Sequence, residues 1–428
     1  MPRTSLLFHR DFRLLWIGDS VSQVGTWVTQ TSVPLLAALV LAATPLQMGL
    51  LTAAQEGAFL LIGLPAGVWV DRMRRRPLML GADLGRAALL LSVPIGWWLG
   101  VLTIWQLIVV GLLVGVLTVF FDVAYQSYLP VLVGRAHLVE GNSKLQASMS
   151  VAMVSGPALG GGLTQLVGAA NAVLTDALSY LVSALCLWRI RTVEPARDRS
   201  TRRGLVPEIA EGLRFVFGNR LLRGAVGTTS AFNFFSNVYI AVTILLLTRD
   251  LRLAPGLVGL VMAAGGVGGV LGAVTAGRIT GSIGQARTIV LSAVVAAISS
   301  VLLPLAEPGW RVLLFPAGYL ISGFGTIVYN VAQVSFRQAI SPDRLLGRIN
   351  ASVRFVVWGT LPLGGLAGGA LGQWIGVRET VWIGAIGTAL APLFVLCSPL
   401  RRLRDLPSEP VAESTTSEST APETSQSA

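Results

Sequence analysis

Five charged side chains crowd into six positions, Asp71, Arg72, Arg74, Arg75 and Arg76, after a run from Ala58 to Val70 that holds none and includes Gly67. Arginines alone suffice to stop an apolar segment at a membrane surface. An acid is not needed for that. Asp71 can instead accept charge-assisted hydrogen bonds from its neighbours or cap a nearby helix N-terminus, and Gly67 permits close helix approach. The acid therefore calls for a role beyond stopping a helix.

Further acids stand inside apolar runs: Asp19, Glu56, Asp83, Asp122 and Asp176, all in the first half of the chain. An acid at the centre of a bilayer costs about 2.5–3.5 kcal/mol unless it is paired, protonated or wet. Asp83 and Arg86, three residues apart, suit mutual neutralisation. Asp176, near the outer start of its segment, is expected to be partly solvated and hydrogen-bonded. Glu56, in TAAQEGAFLL, has no base in reach along its own helix and is the first candidate for carrying protons; Asp19, in WIGDSVSQVG, is the second. A structural hydrogen bond is the competing role for each.

Other chemistries lack their residues. Only His9 and His137 offer imidazole, Cys186 and Cys397 stand far apart, and there is no G-K-[ST] loop. Neither a metal centre, a disulfide framework nor ATP hydrolysis is expected, and no cofactor. Without a nucleophile–base pair, an enzyme is not expected either.

The elements that must position these groups are membrane helices. Hydrophobic residues make up 53% of the 428 and charged ones 12%, which does not suit a soluble domain. About twelve continuously apolar segments, each long enough to span a bilayer, lie at 14–40, 47–70, 78–100, 103–128, 145–168, 171–189, 222–248, 256–277, 286–305, 311–335, 349–375 and 380–398. Of the 32 Lys and Arg, 26 fall at the ends and junctions on one side, four (Arg249, Arg252, Arg311 and Arg378) on the other, and two (Arg86 and Arg354) within spans. This asymmetry predicts cytoplasmic termini, and it explains the net charge of +11 by topology and lipid contact rather than by nucleic acid. A single lysine, Lys144, amid many Ala, Gly and Arg suggests a GC-rich bacterial genome.

The chain divides into a cytoplasmic N-terminus (1–13), a six-helix bundle (14–189), a basic cytoplasmic linker (190–221), a second six-helix bundle (222–400) and a tail (401–428) too polar to bury a core, predicted disordered. Within the linker, Ile209, Leu213, Phe217 and Leu221 recur at helical spacing, as in an amphipathic surface helix or a simple spacer. The bundles repeat weakly at an offset of 208 residues, with Asn142, Gly156, Gly160 and Gly161 matching Asn350, Gly364, Gly368 and Gly369. Parallel six-helix repeats place a substrate site at their interface.

Gly67, Asp71, Arg72, Arg75 and Arg76 resemble the loop 2–3 signature G-x-x-x-D-R-x-x-R-[RK] of the major facilitator superfamily, with Arg74 where Gly is usual and Trp69 where Leu is common. Gly156, Pro157, Gly160 and Gly161, in SGPALGGG, match the G-P-x-x-G-G element characteristic of its antiporters. With FRLLWIGDSVSQVG, FFDVAYQSYLP and EGNSKLQASMSVAMVSGPALGG, the chain from about 10 to 400 resembles the enterobactin-exporter and macrolide-efflux branch of that superfamily. The resemblance implies an all-α fold of twelve helices in two bundles, and export of a small amphipathic molecule (drug, siderophore or secondary metabolite) driven by a proton gradient. It implies a monomer in a bacterial inner membrane. It pairs Asp122 with Arg75 as a cytoplasmic latch beside Asp71. Helices 1, 4, 7 and 10 would line the cavity, directing attention to Gln23, Trp27, Tyr125, Asn233, Asn237, Tyr239, Tyr329, Asn330 and Gln333. A non-transporting receptor or an importer on the same fold is the alternative.

Overall fold

The computed structural model describes residues 6–134, 137–192, 194, 213–340 and 346–403, leaving aside the side chains of Leu64, Val68, Asp71 and residues 339–340, 346–348 and 402. Among the described residues twelve helices of 14 residues or more form the body. The first half holds α1 (Arg10–Leu39), α2 (Pro45–Arg72), α3 (Arg75–Trp98), α4 (Ile104–Val133), α5 (Leu138–Val167) and α6 (Ala169–Arg189). The second holds α7 (Arg220–Leu245), α8 (Pro255–Ile283), α9 (Gln285–Ile298), α10 (Leu314–Ile340), α11 (Leu346–Ile375) and α12 (Val377–Leu390).

Among the described residues nine of these are long and apolar enough to cross a membrane; α1, α2 and α5, of 28 to 30 residues, fall outside that set. α1 carries Asp11, Asp19, Ser20, Ser22 and Gln23 in its first half, which lowers its hydropathy. The main departures from the expected spans are early ends of α9, at Ile298 rather than 305, and of α12, at Leu390 rather than 398, and at one end an α4 that runs on through Pro130 to Val133 and an α5 that begins already at Leu138.

Packing repeats between the halves. α1 lies on α5 and α6 as α7 lies on α11 and α12, and α4 lies on α2 and α3 as α10 lies on α8 and α9. The halves meet through α2 on α11 and α5 on α8. A single glycine turns the chain between α5 and α6 and between α11 and α12: Gly168 at φ 84° and Gly376 at φ 106°, a conformation costly for any residue with a Cβ. These two are also 208 residues apart.

The chain enters and leaves at one end, called here the terminal end, and the other is the far end. Exposed tryptophans ring both: Trp97, Trp98, Trp105, Trp310 and Trp374 at the far end, Trp69 and Trp188 at the terminal end, as expected at the two interfaces of a bilayer. Of the predicted linker helix, residues 213–218 are helical, and Val216, not Phe217, turns into the core. Ile209 lies outside the described residues.

Candidate functional site

The ionisable residues of α1, α3, α4 and α6 converge on Arg86. Its guanidinium, 3% exposed, donates from Nη2 to Asp83 Oδ1 and from Nη1 to Thr118 Oγ1 at 3.4 Å. Two aromatic faces enclose it, Tyr180 with its ring centroid 4.2 Å from Cζ and Phe121 at 4.4 Å. Asp19, Asp122 and Asp176 also lie within its electrostatic reach. Asp83 is thus the direct partner of this buried cation, with the other three carboxyl groups around the pair, and the two ring faces add cation–π attraction.

The four acids differ in access to water. Asp83 is fully buried and Asp19 nearly so, with Gln23 one turn on as its hydrogen-bond partner. Asp176 is buried rather than partly solvated, because Gly25 of α1 packs directly on it and Ser179 Oγ donates to Oδ1 at 3.0 Å. Asp122 is the open member. Its side chain is exposed between the halves, within electrostatic reach of Arg86 on one side and Arg354 of α11 on the other. Tyr125, one turn along α4, stacks on Phe121 and stands near both Asp19 and Asp122.

Arg354 belongs to the second half but reaches the first. Its Cζ lies 4.2 Å from the Trp358 ring centroid and 5.1 Å from that of Phe59 on α2, and the two rings themselves stand 4.8 Å apart. Local spacing along the chain does not join this guanidinium to α2 or enclose Arg86 between rings. One signal was available, since these are the two basic residues inside spans.

Of the amides and aromatics expected along the cavity, Asn233 donates to Val357 O at 3.1 Å, and Asn237 to Asn233 O at 3.0 Å. Asn233, Tyr329 and exposed Asn330 line a small recess with Thr229, whose hydroxyl meets Tyr329 Oη at 2.8 Å. Gln333 is buried on α10. Tyr239 faces away from these residues, in the core against Gly384 of α12. Trp27 is held by packing, its Cβ against Gly156. Glu56 is exposed on α2, with no charged group acting on it among the described residues.

The glycines of helix 5 work at two contacts. A Cβ on Gly156 would stand 2.2 Å from Trp27 Cβ and one on Gly160 2.8 Å from Val28 O, both on α1. A Cβ on Gly161 would stand 2.4 Å from Pro255 O, and Pro157 O faces Gly259, both across the halves on α8. The repeat holds residue for residue: Gly364 and Gly368 press on α7, and Gly369 presses on Gly49 and Pro45 of α2. Small residues here let helix backbones touch, which is how membrane helices associate without a hydrophobic drive.

Contacts between the halves run from mid-depth to the far end. Arg249 Nη2, beyond α7, donates across to Ala43 O at 2.8 Å and Ala38 O at 3.4 Å. Toward the terminal end, among the described residues, a Cβ on Gly67, Gly277 or Gly281 would meet nothing within 4 Å, so the seam parts there and the close approach expected at Gly67 is not seen among them.

At the terminal end Arg72 is exposed, and the Asp71 side chain lies outside the described residues. The N–H groups of Arg75 and Arg76, at the start of α3, donate to Glu194 at 3.0 and 2.7 Å, and Arg76 also donates to Leu187 O and Trp188 O at the end of α6. Asp11 accepts from Arg191 N, Thr192 N and Thr192 Oγ1 at 3.1, 2.9 and 2.7 Å. Partial burial opposes its charge, but these bonds and Arg10 outweigh that and hold its carboxyl below the usual range.

The uncharacterized MFS-type transporter YfiS of Bacillus subtilis (strain 168) is 26% identical over 375 residues, 85% of this chain and 87% of that one. The multidrug efflux pump Tap of Mycobacterium tuberculosis (strain ATCC 25618 / H37Rv) is 28% identical over 366 residues, covering 80% and 83%. The enterobactin exporter EntS of Salmonella choleraesuis (strain SC-B67) is 25% identical over 410 residues, covering 93% and 95%. Among solved structures, a bacterial homologue of the iron transporter ferroportin in its inward-facing state superposes with a TM-score of 0.73 at 18% identity, over 91% of this chain and 98% of that one. The same homologue facing outward gives 0.56 at 17% identity, over 91% and 99%. The family model described as transmembrane secretion effector matches residues 4–424, so this chain belongs to that family of major facilitator transporters.

Proposed function

We propose that the chain exports a small amphipathic organic molecule, a drug, siderophore or secondary metabolite, in exchange for protons, by alternating access of its two halves. The observation that carries this reading is the gathering of four aspartates around Arg86, of which Asp122 opens onto the space between the halves. One guanidinium balances one carboxylate. The surplus in a low-dielectric interior is met by protons or by a cation brought into the cavity, so occupancy of the cavity and protonation are linked. Protons moving inward would supply about 2.3 kcal/mol per charge per 100 mV. Asp122 and Asp19 are the favoured carriers; Glu56, lacking charged neighbours, is less well placed to sense the substrate.

With both termini cytoplasmic, as the basic asymmetry argues, the seam parted at the terminal end corresponds to a state open to the cytoplasm, ready to load. Closing that end would bring α2 toward α11 and engage Gly67, and Asp71, Arg75 and Asp122 would form the latch. Aromatic and amide groups from Trp27, Tyr125, Asn233, Tyr329 and Asn330 suit an amphipathic ligand. The glycine motif at the inter-half seam and the exporters among its relatives support export rather than import. The transporter would act as a monomer in a bacterial inner membrane.

The test uses inside-out vesicles from cells producing the protein, energised to an acid interior and offered macrolides, siderophores and hydrophobic cations. We expect at least one compound to accumulate and to leak out when nigericin collapses the pH gradient. Accumulation that ignores the collapse would contradict proton exchange.

A further inference from the structure

A second binding site lies outside the central cavity. A groove of about 760 Å³ separates α7 from α12 near the terminal end, on their outward faces. A break in α12 makes it. Its counterpart in the repeat, α6, runs unbroken from Ala169 to Arg189, whereas α12 stops at Leu390, turns at Ala391 and Pro392, and resumes for one turn at Leu393–Leu396. Proline lacks the N–H that would continue the helix. Gly224 and Gly227 on α7 let the displaced segment come close, Ser398 against the first and the Phe394 ring against the second.

The groove has two chemically distinct ends. At its mouth stand Arg220, Arg223 and Arg401, all exposed; among the described residues none of the three guanidinium groups has a hydrogen-bond or ion-pair partner, and no acid lines the groove. Deeper in, the walls are Phe235, Leu390 and Phe394, the last two more than half exposed. From Arg223 to Phe235 is twelve residues, about 18 Å of helix. That matches one leaflet of a hydrocarbon core about 30 Å thick.

We propose that this groove binds an anionic glycerophospholipid of the terminal-end leaflet, its phosphodiester between Arg220, Arg223 and Arg401 and an acyl chain along Phe235, Leu390 and Phe394. Guanidinium forks suit phosphate oxygens, and three cations without a matching acid select a net negative headgroup over a zwitterionic one. The apolar half selects a lipid over a free phosphate. The inference does not depend on the export reading.

Native mass spectrometry of the purified full chain, released from micelles holding equal phosphatidylglycerol and phosphatidylcholine, tests it. Phosphatidylglycerol should be retained preferentially, with roughly a fivefold loss for each arginine replaced. The R220Q/R223Q/R401Q variant should therefore lose the preference and the R220K/R223K/R401K variant keep most of it. Leu390→Trp, which fills the apolar half without touching an arginine, should also lower retention. Equal retention of both lipids, an unchanged preference in the glutamine variant, or displacement by inorganic phosphate as effective as by phosphatidylglycerol would each overturn the proposal. A preference that appears only after removal of residues 405–428 would assign the groove to the chain's own acidic tail and overturn it too.

Discussion

Gly49 of α2 and Gly369 of α11 touch backbone to backbone across the two halves, so closely that a Cβ on Gly49 would stand 2.5 Å from Gly369 Cα. Pro157 and Gly161 on α5 make the symmetry-related contact with α8. No side chain larger than hydrogen fits there without prising the halves apart at the far end. Gly161→Val and Gly369→Val should therefore reach the membrane in normal amount but lose export by at least about tenfold, a barrier change near 1.4 kcal/mol. Vesicle transport normalised to protein amount checks this; wild-type rates in both variants would refute the seam's role.

Arg249 closes the same end from the second half through two carbonyls of the first. Hydrogen bonds from a charged donor contribute about 1.5–3 kcal/mol. Arg249→Ala should shift the population toward a far-end opening by about tenfold or more. Faster labelling of a cysteine placed at Ala43 by a membrane-impermeant reagent would show it.

Removing Arg86 leaves buried carboxylates without their cation. Arg86→Gln should destabilise the protein by about 3–5 kcal/mol, read as a lowered melting temperature in detergent. Adding Asp83→Asn should recover part of the loss, because the two residues form one unit. Equal melting of Arg86→Gln and wild type would mean that the cluster is not held by this charge.

The junction after α6 is fastened by Asp11. A carboxyl whose pKa is depressed by folding adds stability above its unfolded value, near 3.9, and that contribution is lost as pH falls through the lower folded value. Hydrogen exchange at Arg191 and Thr192 should thus be slow and, after correction for intrinsic rates, steady at neutral pH. Asp11→Asn should speed it severalfold under the same conditions.

Much of this arrangement was legible in the residues themselves. The helices follow from apolar length, and the two-bundle repeat from glycines at a fixed offset, whose backbone contacts reproduce it. Helix rotation was not legible. In a bilayer both the lipid face and the packed face of a helix are apolar, so periodicity did not show that Tyr239 turns into the core while Asn330 stays exposed beside a recess of the second half. Nor could spacing join Arg354 to Phe59, nearly 300 residues away. Partners on different helices become visible only once the bundles are assembled.

We propose that Asp19 and Asp122 couple protons to export. In proteoliposomes, the D19N/D122N variant should still exchange labelled for unlabelled substrate at a rate comparable with wild type, yet fail to concentrate substrate when a pH gradient is imposed. Concentration to the wild-type level by this variant would contradict the claim.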